Sequence, residues 1–536
     1  MKTTPYTAAR PPIRTPIHWG NMEDAEWGNG ITYIAQTALK GSVVPFGIKD
    51  GDRARHTYVT GRVGSGRTDI LARMLFQDIE RGVSAIVLDA SGTFSQMLLE
   101  RVSDNARERV VFLDPSDGEH PFSWNPVREF SALGDRALPL LSEALASMYG
   151  IEAGSLTAFT AEHLLAHPEQ STLLLFNLVT DPKARENAFG EGAPERARFE
   201  DALKSERETA EFISEHGRYI AKDTLIRNIL GQSDSKFTLA AEDLGAFVVV
   251  DLSRIRMFPT RMQPLVRIFA HAARARALLG EHVALYCYDV LKHLSEKDIA
   301  SIFPERSVMI AAAGILQSEE EQSRIESGMR QCGAVLSFAP NPADFPLLEH
   351  AFYPYVSPED LAKLKESEIC LMLTIDGVRS KPFFAQALPK PPRGTGSVQD
   401  IHVISRDRFT ISRLKADQLF RAPRPEKPQE GSGQGSFSNA FRSIFAKKPD
   451  QSGTSPGAPS AAAQKTAPSE TPKASPSATA PAVTATYEKP EETSKNSKAP
   501  AETRAPSVLA EETAASPAEI PEEELRKMVY VDPSDL

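Results

Sequence analysis

Short apolar runs and stretches of helical spacing alternate along much of this chain. HTYVT (56–60) reads as a strand, and DILARMLFQDIERG carries Ile70, Leu71, Met74, Leu75 and Ile79 on one helix face before Gly82 stops it. SAIVLD (84–89) and RVVFLDP (109–115) are two further apolar strands. Strand, helix, strand in this order predicts a parallel sheet, because parallel neighbours need a crossover between them. From about 128 to 235 the pattern changes. LPLLSEALASMYG, LTAFTAEHLLAH, STLLLFNLV and the charged stretch from Glu195 to Tyr219 all have helical spacing, and no segment reads as a strand. The sheet pattern resumes with AFVVVDLS (246–253), followed by a long helix ending at Gly280. VALYCYD (283–289), SVMIAAA (307–313), AVLSFA (334–339) and ICLMLTIDG (369–377) supply more strands. The expected organisation is α/β: an N-terminal arm (1–45), the first part of a sheet domain (46–127), a helical insertion (128–235), the second part of the sheet domain (236–395) and a tail (396–536).

Composition refines the ends rather than the middle. Hydrophobic residues make up 41% and charged residues 25% of the 536, ordinary values for a soluble globular protein. The 40 prolines crowd toward the C-terminus, where 450–520 is rich in Ala, Pro, Ser, Thr, Lys and Glu with almost no aromatics. Such a stretch cannot bury enough surface to offset its ordering entropy, so the tail is expected to be mostly disordered. Two islands interrupt it. Residues 435–448 place Phe437, Phe441, Ile444 and Phe445 on one helical face beside Arg442, Lys447 and Lys448. That segment is expected to dock on a partner protein or a membrane surface; 521–536 is a second, acidic-to-apolar one.

A net charge of −10 argues against a nucleic-acid binder that uses its whole surface and leaves room for a local basic channel. Cys287, Cys332 and Cys370 are scattered without metal-type or disulfide-framework spacing, which suits a reducing interior. No apolar run reaches the roughly 18–20 residues that span a bilayer, and the N-terminus lacks a signal peptide's apolar region. The expected location is the cytoplasm, with a peripheral place at the inner face of the membrane as the variant of it.

The densest chemistry lies at Gly61-Arg62-Val63-Gly64-Ser65-Gly66-Arg67-Thr68, between a strand and a helix. This is the G-x-x-x-x-G-K-[ST] spacing of a phosphate-binding loop with arginine in place of lysine. Glycine-permitted turns let successive backbone N–H groups and a helix N-terminus point at phosphate oxygens. Gly61, Gly64, Ser65, Gly66, Arg67 and Thr68 are therefore the candidate nucleotide-binding residues, with the Thr68 hydroxyl placed to hold Mg²⁺. Arg67 keeps the charge of lysine but is longer, planar and forked, so the exchange is not conservative.

A Mg²⁺-supporting carboxylate and a water-polarising glutamate usually end an apolar strand together. Here Asp289 ends VALYCYD and Val290 follows it. Asp289 is the candidate catalytic and metal-supporting residue, and valine cannot activate water. Asp89 is a further metal candidate; Asp251 also ends an apolar strand and reads as a cap. Arg53, Arg55 and His56 read either as part of a phosphate surface or as a charged turn. His163 and His167 are four apart, but the metalloprotease glutamate is missing and Pro168 follows, so a helix-end pair is expected.

GIKDGDRARHTYVTG-x-x-GSGRT, QDIERG-x-x-AIVLDASG and RVVFLDPSDGEHPFSWNPV together resemble the TraG/TraD-like type IV secretion coupling proteins of the HerA/FtsK superfamily. TLIRNILGQ (224–232), AFVVVDLSRI, VALYCYDVLKHL, GAVLSFAPNPADFPLLEHAF (333–352) and LTIDGVRSKPFFAQAL (373–388) continue the resemblance in the family's order, so that it covers about 50–390. It implies a RecA-like fold, ATP or ADP with Mg²⁺ as cofactor, DNA and a secretion or conjugation machine as partners, and a homo- or mixed hexamer.

The departures fall on catalytic positions. They are Arg67 for lysine, Asp89-Ala90-Ser91-Gly92-Thr93 for Asp-Pro-Lys/His-Gly-Asp, and Asp289-Val290 for Asp-Glu. Ala311-Ala312-Ala313-Gly314 stands where a sensor glutamine is usual, with Gln317 out of register, and only Arg306 is near the expected arginine segment. The leading expectation is a nucleotide-binding, hydrolytically impaired coupling-type protein. The alternatives are an active DNA-translocating ATPase, with Glu281 or Asp89 orienting water, and an adaptor that binds no nucleotide and recruits partners through its tail.

Overall fold

In the computed structural model, which describes residues 30–39, 42–239, 247–279, 282–302, 308–312 and 319–421, the apolar runs become strands of one sheet. The strands are β1 (Ile31–Leu39), β2 (Ser42–Lys49), β3 (Thr57–Thr60), β4 (Ser84–Asp89), β5 (Val110–Leu113), β6 (Phe247–Asp251), β7 (Val283–Tyr288), β8 (Val308–Ala312), β9 (Ala334–Ser337), β10 (Glu368–Met372), β11 (Thr374–Ile375), β12 (Val378–Arg379) and β13 (Phe383–Ala387). Eleven of them share the order β2-β1-β13-β10-β9-β3-β8-β7-β4-β6-β5, and β11 with β12 forms a small separate hairpin. From β9 to β5 all neighbours are parallel; β10, β13, β1 and β2 extend the sheet antiparallel.

The parallel strands β3, β4, β5, β6, β7 and β9 are buried on both faces, as crossover helices require. Ile86, Leu88, Val248, Val250, Leu285 and Cys287 face one core, while Ala85, Val87, Val249, Ala284, Tyr286 and Tyr288 face the other. This is the two-residue alternation of a pleated strand. The second core is closed by α1 (Arg67–Glu80) and α2 (Thr93–Leu99). The first is closed by α3 (Ala137–Tyr149), α4 (Ser155–Ala166), α5 (Leu174–Thr180), α6 (Pro182–Phe189), α7 (Pro194–Ser205), α8 (Arg207–Lys222), α9 (Thr224–Leu230) and the long α10 (Pro259–Leu278). Residues 127–230 contain no strand.

The joint between sheet and insertion is the segment Phe122-Ser-Trp-Asn-Pro. Trp124 is fully buried, stacks on Phe269 of α10 at 4.2 Å between ring centres, and donates its indole N–H to Glu129 Oε1 at 2.9 Å. Arg276 Nε donates to the other oxygen of Glu129 at 2.5 Å. The Asn125 side-chain amide donates to the carbonyls of Pro168 and Gln170.

The chain's ends differ from the expected arm and tail. Part of the arm, 31–39 with 42–49, is an antiparallel strand pair continuing the sheet. Within 396–421 two helices fold back, α11 (Val398–Phe409) and α12 (Arg413–Arg421). α11 covers the edge strand β5, where the Ser405 hydroxyl accepts the Phe112 backbone N–H at 3.0 Å. Residues 435–448 and 521–536 lie outside the described residues. Among the described residues no helix is long and apolar enough to cross a membrane. The three cysteines are buried thiols without a disulfide among them.

Candidate nucleotide-binding site

The loop between β3 and α1 lies at the carboxyl end of the parallel strands, where open α/β sheets bind ligands. Arg62 N donates to Ala339 O at 2.8 Å and Ser65 N to Arg62 O at 3.2 Å, which folds the loop back over β9. Two glycines are required there. At Gly61 (φ +153°) a Cβ would stand 2.7 Å from Phe338 Cβ, and Gly66 (φ +110°) caps α1 in a backbone region that side chains rarely adopt. Val63 at the tip is 89% exposed. The Ser65 hydroxyl beneath the loop is buried and makes no hydrogen bond. Helix α1 begins at this loop, and a helix start leaves its first N–H groups without intrahelical acceptors, the arrangement that attracts phosphate.

Arg67, Thr68, Tyr288 and Asp289 converge beside the loop. The Arg67 guanidinium is buried, lies 4.7 Å from the centre of the Tyr288 ring, and donates from Nη2 to Tyr288 Oη at 2.9 Å. Tyr288 Oη is also 2.9 Å from Thr68 Oγ1. Asp289 Oδ1 lies 3.7 Å from Arg67 Nη2 and accepts no hydrogen bond. Asp289 sits at φ +59°, an unusual conformation for a residue with a side chain, and turns its carboxyl into this cluster. Burial pushes that carboxyl up to about 6; Arg67 opposes the shift and Asp89 adds to it. Burial works against the Arg67 charge, yet Tyr288 and Asp289 hold its pKa above the ordinary value.

The other sequence candidates separate clearly. Asp89 is fully buried and serves the turn into α2: Oδ1 accepts from Ser91 N at 2.8 Å and Ser91 Oγ at 2.9 Å, and Oδ2 accepts from Ser95 N at 2.7 Å. Both oxygens are thus engaged in capping, which leaves Asp89 poorly placed as a metal ligand despite its position opposite Tyr288 across the β4–β7 ladder. Asp251 likewise accepts from Ser253 N at 3.0 Å. Val290 is fully buried in the core on the insertion side. Ala311 and Ala312 lie in β8, which separates the loop strand β3 from β7. Ala313, Gly314, Gln317, Glu281 and Arg306 lie outside the described residues.

Arg53 lines no phosphate surface: it is buried and paired with Asp78 near Tyr286. His56 is buried, and Arg55 reaches the Gly377 carbonyl at 3.4 Å. His163 and His167 stand 4.6 Å apart between ring centres, His163 packs edge-on to Phe189, and His167 Nδ1 lies 3.5 Å from Glu169. No cluster of three or more His, Cys, Asp or Glu side chains that could hold a metal ion occurs among the described residues. The sequence reading missed Tyr288. The signal was the alternation in VALYCYD, which sends Ala284, Tyr286 and Tyr288 to the face that carries α1.

Residues 41–171 match the family described as the type IV secretion-system coupling protein DNA-binding domain. The chain is therefore similar in that region to type IV coupling proteins, the family its motifs resemble. No curated protein matches it. Among solved structures, the unbound bacterial conjugative coupling protein TrwBdeltaN70 matches at TM-score 0.47 and 14% identity, covering 68% of this chain and 91% of that one. Plasmid coupling protein TrwB in complex with ADP and Mg²⁺ matches at TM-score 0.43 and 13% identity, covering 68% and 92%. VirB4 of Thermoanaerobacter pseudethanolicus matches at TM-score 0.43 and 14% identity, covering 68% and 98%.

Proposed function

We propose that this chain is a coupling-type P-loop protein that binds ATP or ADP with Mg²⁺ at Gly61–Thr68, hydrolyses it poorly or not at all, and serves a DNA-transfer or type IV secretion machine. The observation that carries the nucleotide reading is the loop itself. A glycine-dependent turn caps α1, with the Arg67 cation and the Thr68 hydroxyl at its base. The residues present fit a magnesium nucleotide on two counts: the buried Ser65 hydroxyl and Asp289 Oδ1 are both without hydrogen bonds. Backbone N–H groups at Gly64 and from Gly66 to Thr68 would receive the phosphates, and Arg67 would balance their charge. Thr68 and Asp289 would hold the ion, which neutralises phosphate charge when bound.

The water-activating position does not support turnover. Val290 follows Asp289, is apolar, and is buried away from the loop in the opposite core. The family match over 41–171 supports DNA and secretion-machine partners. A cytoplasmic setting, a homo- or mixed hexamer, and partner docking through 435–448 and 521–536 complete this reading. A second reading, an adaptor that binds no nucleotide, draws on one observation: Arg67 and Thr68 already satisfy each other through Tyr288.

Calorimetric titration of the full chain with ATP and Mg²⁺ separates the two. The expected result is saturable binding that Gly66→Ala weakens at least tenfold, because its Cβ would stand 3.0 Å from Phe338 at a φ that side chains avoid. Heatless titration at millimolar nucleotide would favour the adaptor.

A further inference from the structure

Resting on the nucleotide reading above, we propose that the Tyr288 hydroxyl is a latch on the phosphate loop, competing with bound phosphate for Arg67 and Thr68. The hydroxyl stands 2.9 Å from both Arg67 Nη2 and Thr68 Oγ1, the two side-chain groups that a magnesium nucleotide needs. A phenol has one proton and two lone pairs, and these two neighbours use most of that capacity. The ring is 3% exposed and packed against two neighbours. Phe94 of α2 stacks on it at 5.2 Å between centres with 24° between planes, and the Arg67 guanidinium covers it at 4.7 Å.

Tyr288 ends β7, which is hydrogen-bonded to β8 on one side and β4 on the other. The backbone is therefore fixed, and the hydroxyl can leave only by side-chain rotation. That rotation disturbs the stack with Phe94, which is the second residue of α2. Phosphate binding is thereby linked to the start of α2, the helix whose opening turn Asp89 caps. The same geometry assigns Tyr288 the role of setting affinity rather than of contacting phosphate. If it donated to a phosphate oxygen instead, its removal would weaken binding.

The test is the affinity of a fluorescent ATP analogue, with Mg²⁺, for the full chain and for Tyr288→Phe, each first shown to be folded by circular dichroism and melting. Removing a hydrogen bond to a charged group from the competing state is expected to tighten binding about tenfold. Binding by the variant alone supports the latch as well. Wild-type binding with an unchanged or weaker variant overturns the latch and leaves the nucleotide reading standing. No binding by either chain overturns both. A measurement on the unaltered chain covers a variant that fails to fold: amide exchange across Thr93–Leu99 should quicken when the nucleotide binds. Unchanged exchange under saturating nucleotide overturns the latch.

Discussion

At the base of the loop, Arg67 makes contacts that the lysine usual at this position would not make. Its forked guanidinium spans the Tyr288 hydroxyl and approaches Asp289, a reach that a lysine ammonium, as a compact point charge, does not reproduce. Arg67→Lys is therefore expected to retain nucleotide binding. It should not restore hydrolysis, since Val290 stays apolar and buried. Phosphate release by R67K at a rate well above background would show that arginine was the only obstacle.

The loop residues Gly61, Gly64, Ser65, Gly66, Arg67 and Thr68 were legible because spacing alone brings them together, and Asp289 because it ends an apolar run. Tyr288 was not, because its partners lie on another element and are found only from the face it takes. A strand-terminal aspartate can cap or ligate equally well, so the capping role of Asp89 needed the actual donors.

At the scale of elements, α1 carries a cost at its far end from the loop. Burial pushes the Glu80 carboxyl up to about 7 against a partial offset from Arg81, and neither of its oxygens has a hydrogen-bond partner. The folded protein therefore holds that proton to higher pH than the unfolded chain does. Between about 4.5 and 7 the native state binds more protons, so stability falls as pH rises through that window. Glu80→Gln should raise the unfolding free energy at pH 8 by up to about 3 kcal/mol from the size of the shift, seen as a higher melting temperature, and leave both unchanged near pH 4. Equal melting of the two chains at both pH values would contradict this.

The Trp124 joint makes the opposite prediction. Trp124→Ala removes a stacked, fully buried ring and one of the donors to Glu129, and should cost about 3–5 kcal/mol in chemical denaturation. A change under about 1 kcal/mol would mean that the insertion does not depend on this joint. The aromatic run Phe-Ser-Trp-Asn-Pro was visible in the sequence; its role as a joint was not. The strand pair β1–β2 was hidden for a different reason. Pro45 interrupts β2 as a strand signal, but β2 is an edge strand, where proline is tolerated.

Across the molecule, the sequence reading found the α/β alternation and the stretch of helices because both are written in hydrophobic period. It placed the end of the folded region too early, near 395. α11 and α12 are mostly polar helices, and each contributes only a few buried residues, among them Ile401, Phe409 and Ala416. Their docking depends on contacts across the chain: Arg227 with Asp417 at 2.6 Å, Lys236 Nζ with the Thr410 carbonyl at 2.7 Å, and Phe409 edge-on to Phe237. Deleting 396–536 should therefore lower the melting temperature sharply. Deleting 430–536 should leave it close to that of the full chain. Similar melting for both truncations would place the two helices outside the cooperative unit.

The central claim is that the loop binds nucleotide while the protein has lost turnover. Equilibrium binding of a fluorescent ATP analogue to the full chain, with and without Mg²⁺ and with phosphate release followed in the same samples, tests it most directly. The account predicts saturable, Mg²⁺-strengthened binding without release. Release with repeated turnover, or no binding at millimolar nucleotide, would contradict it.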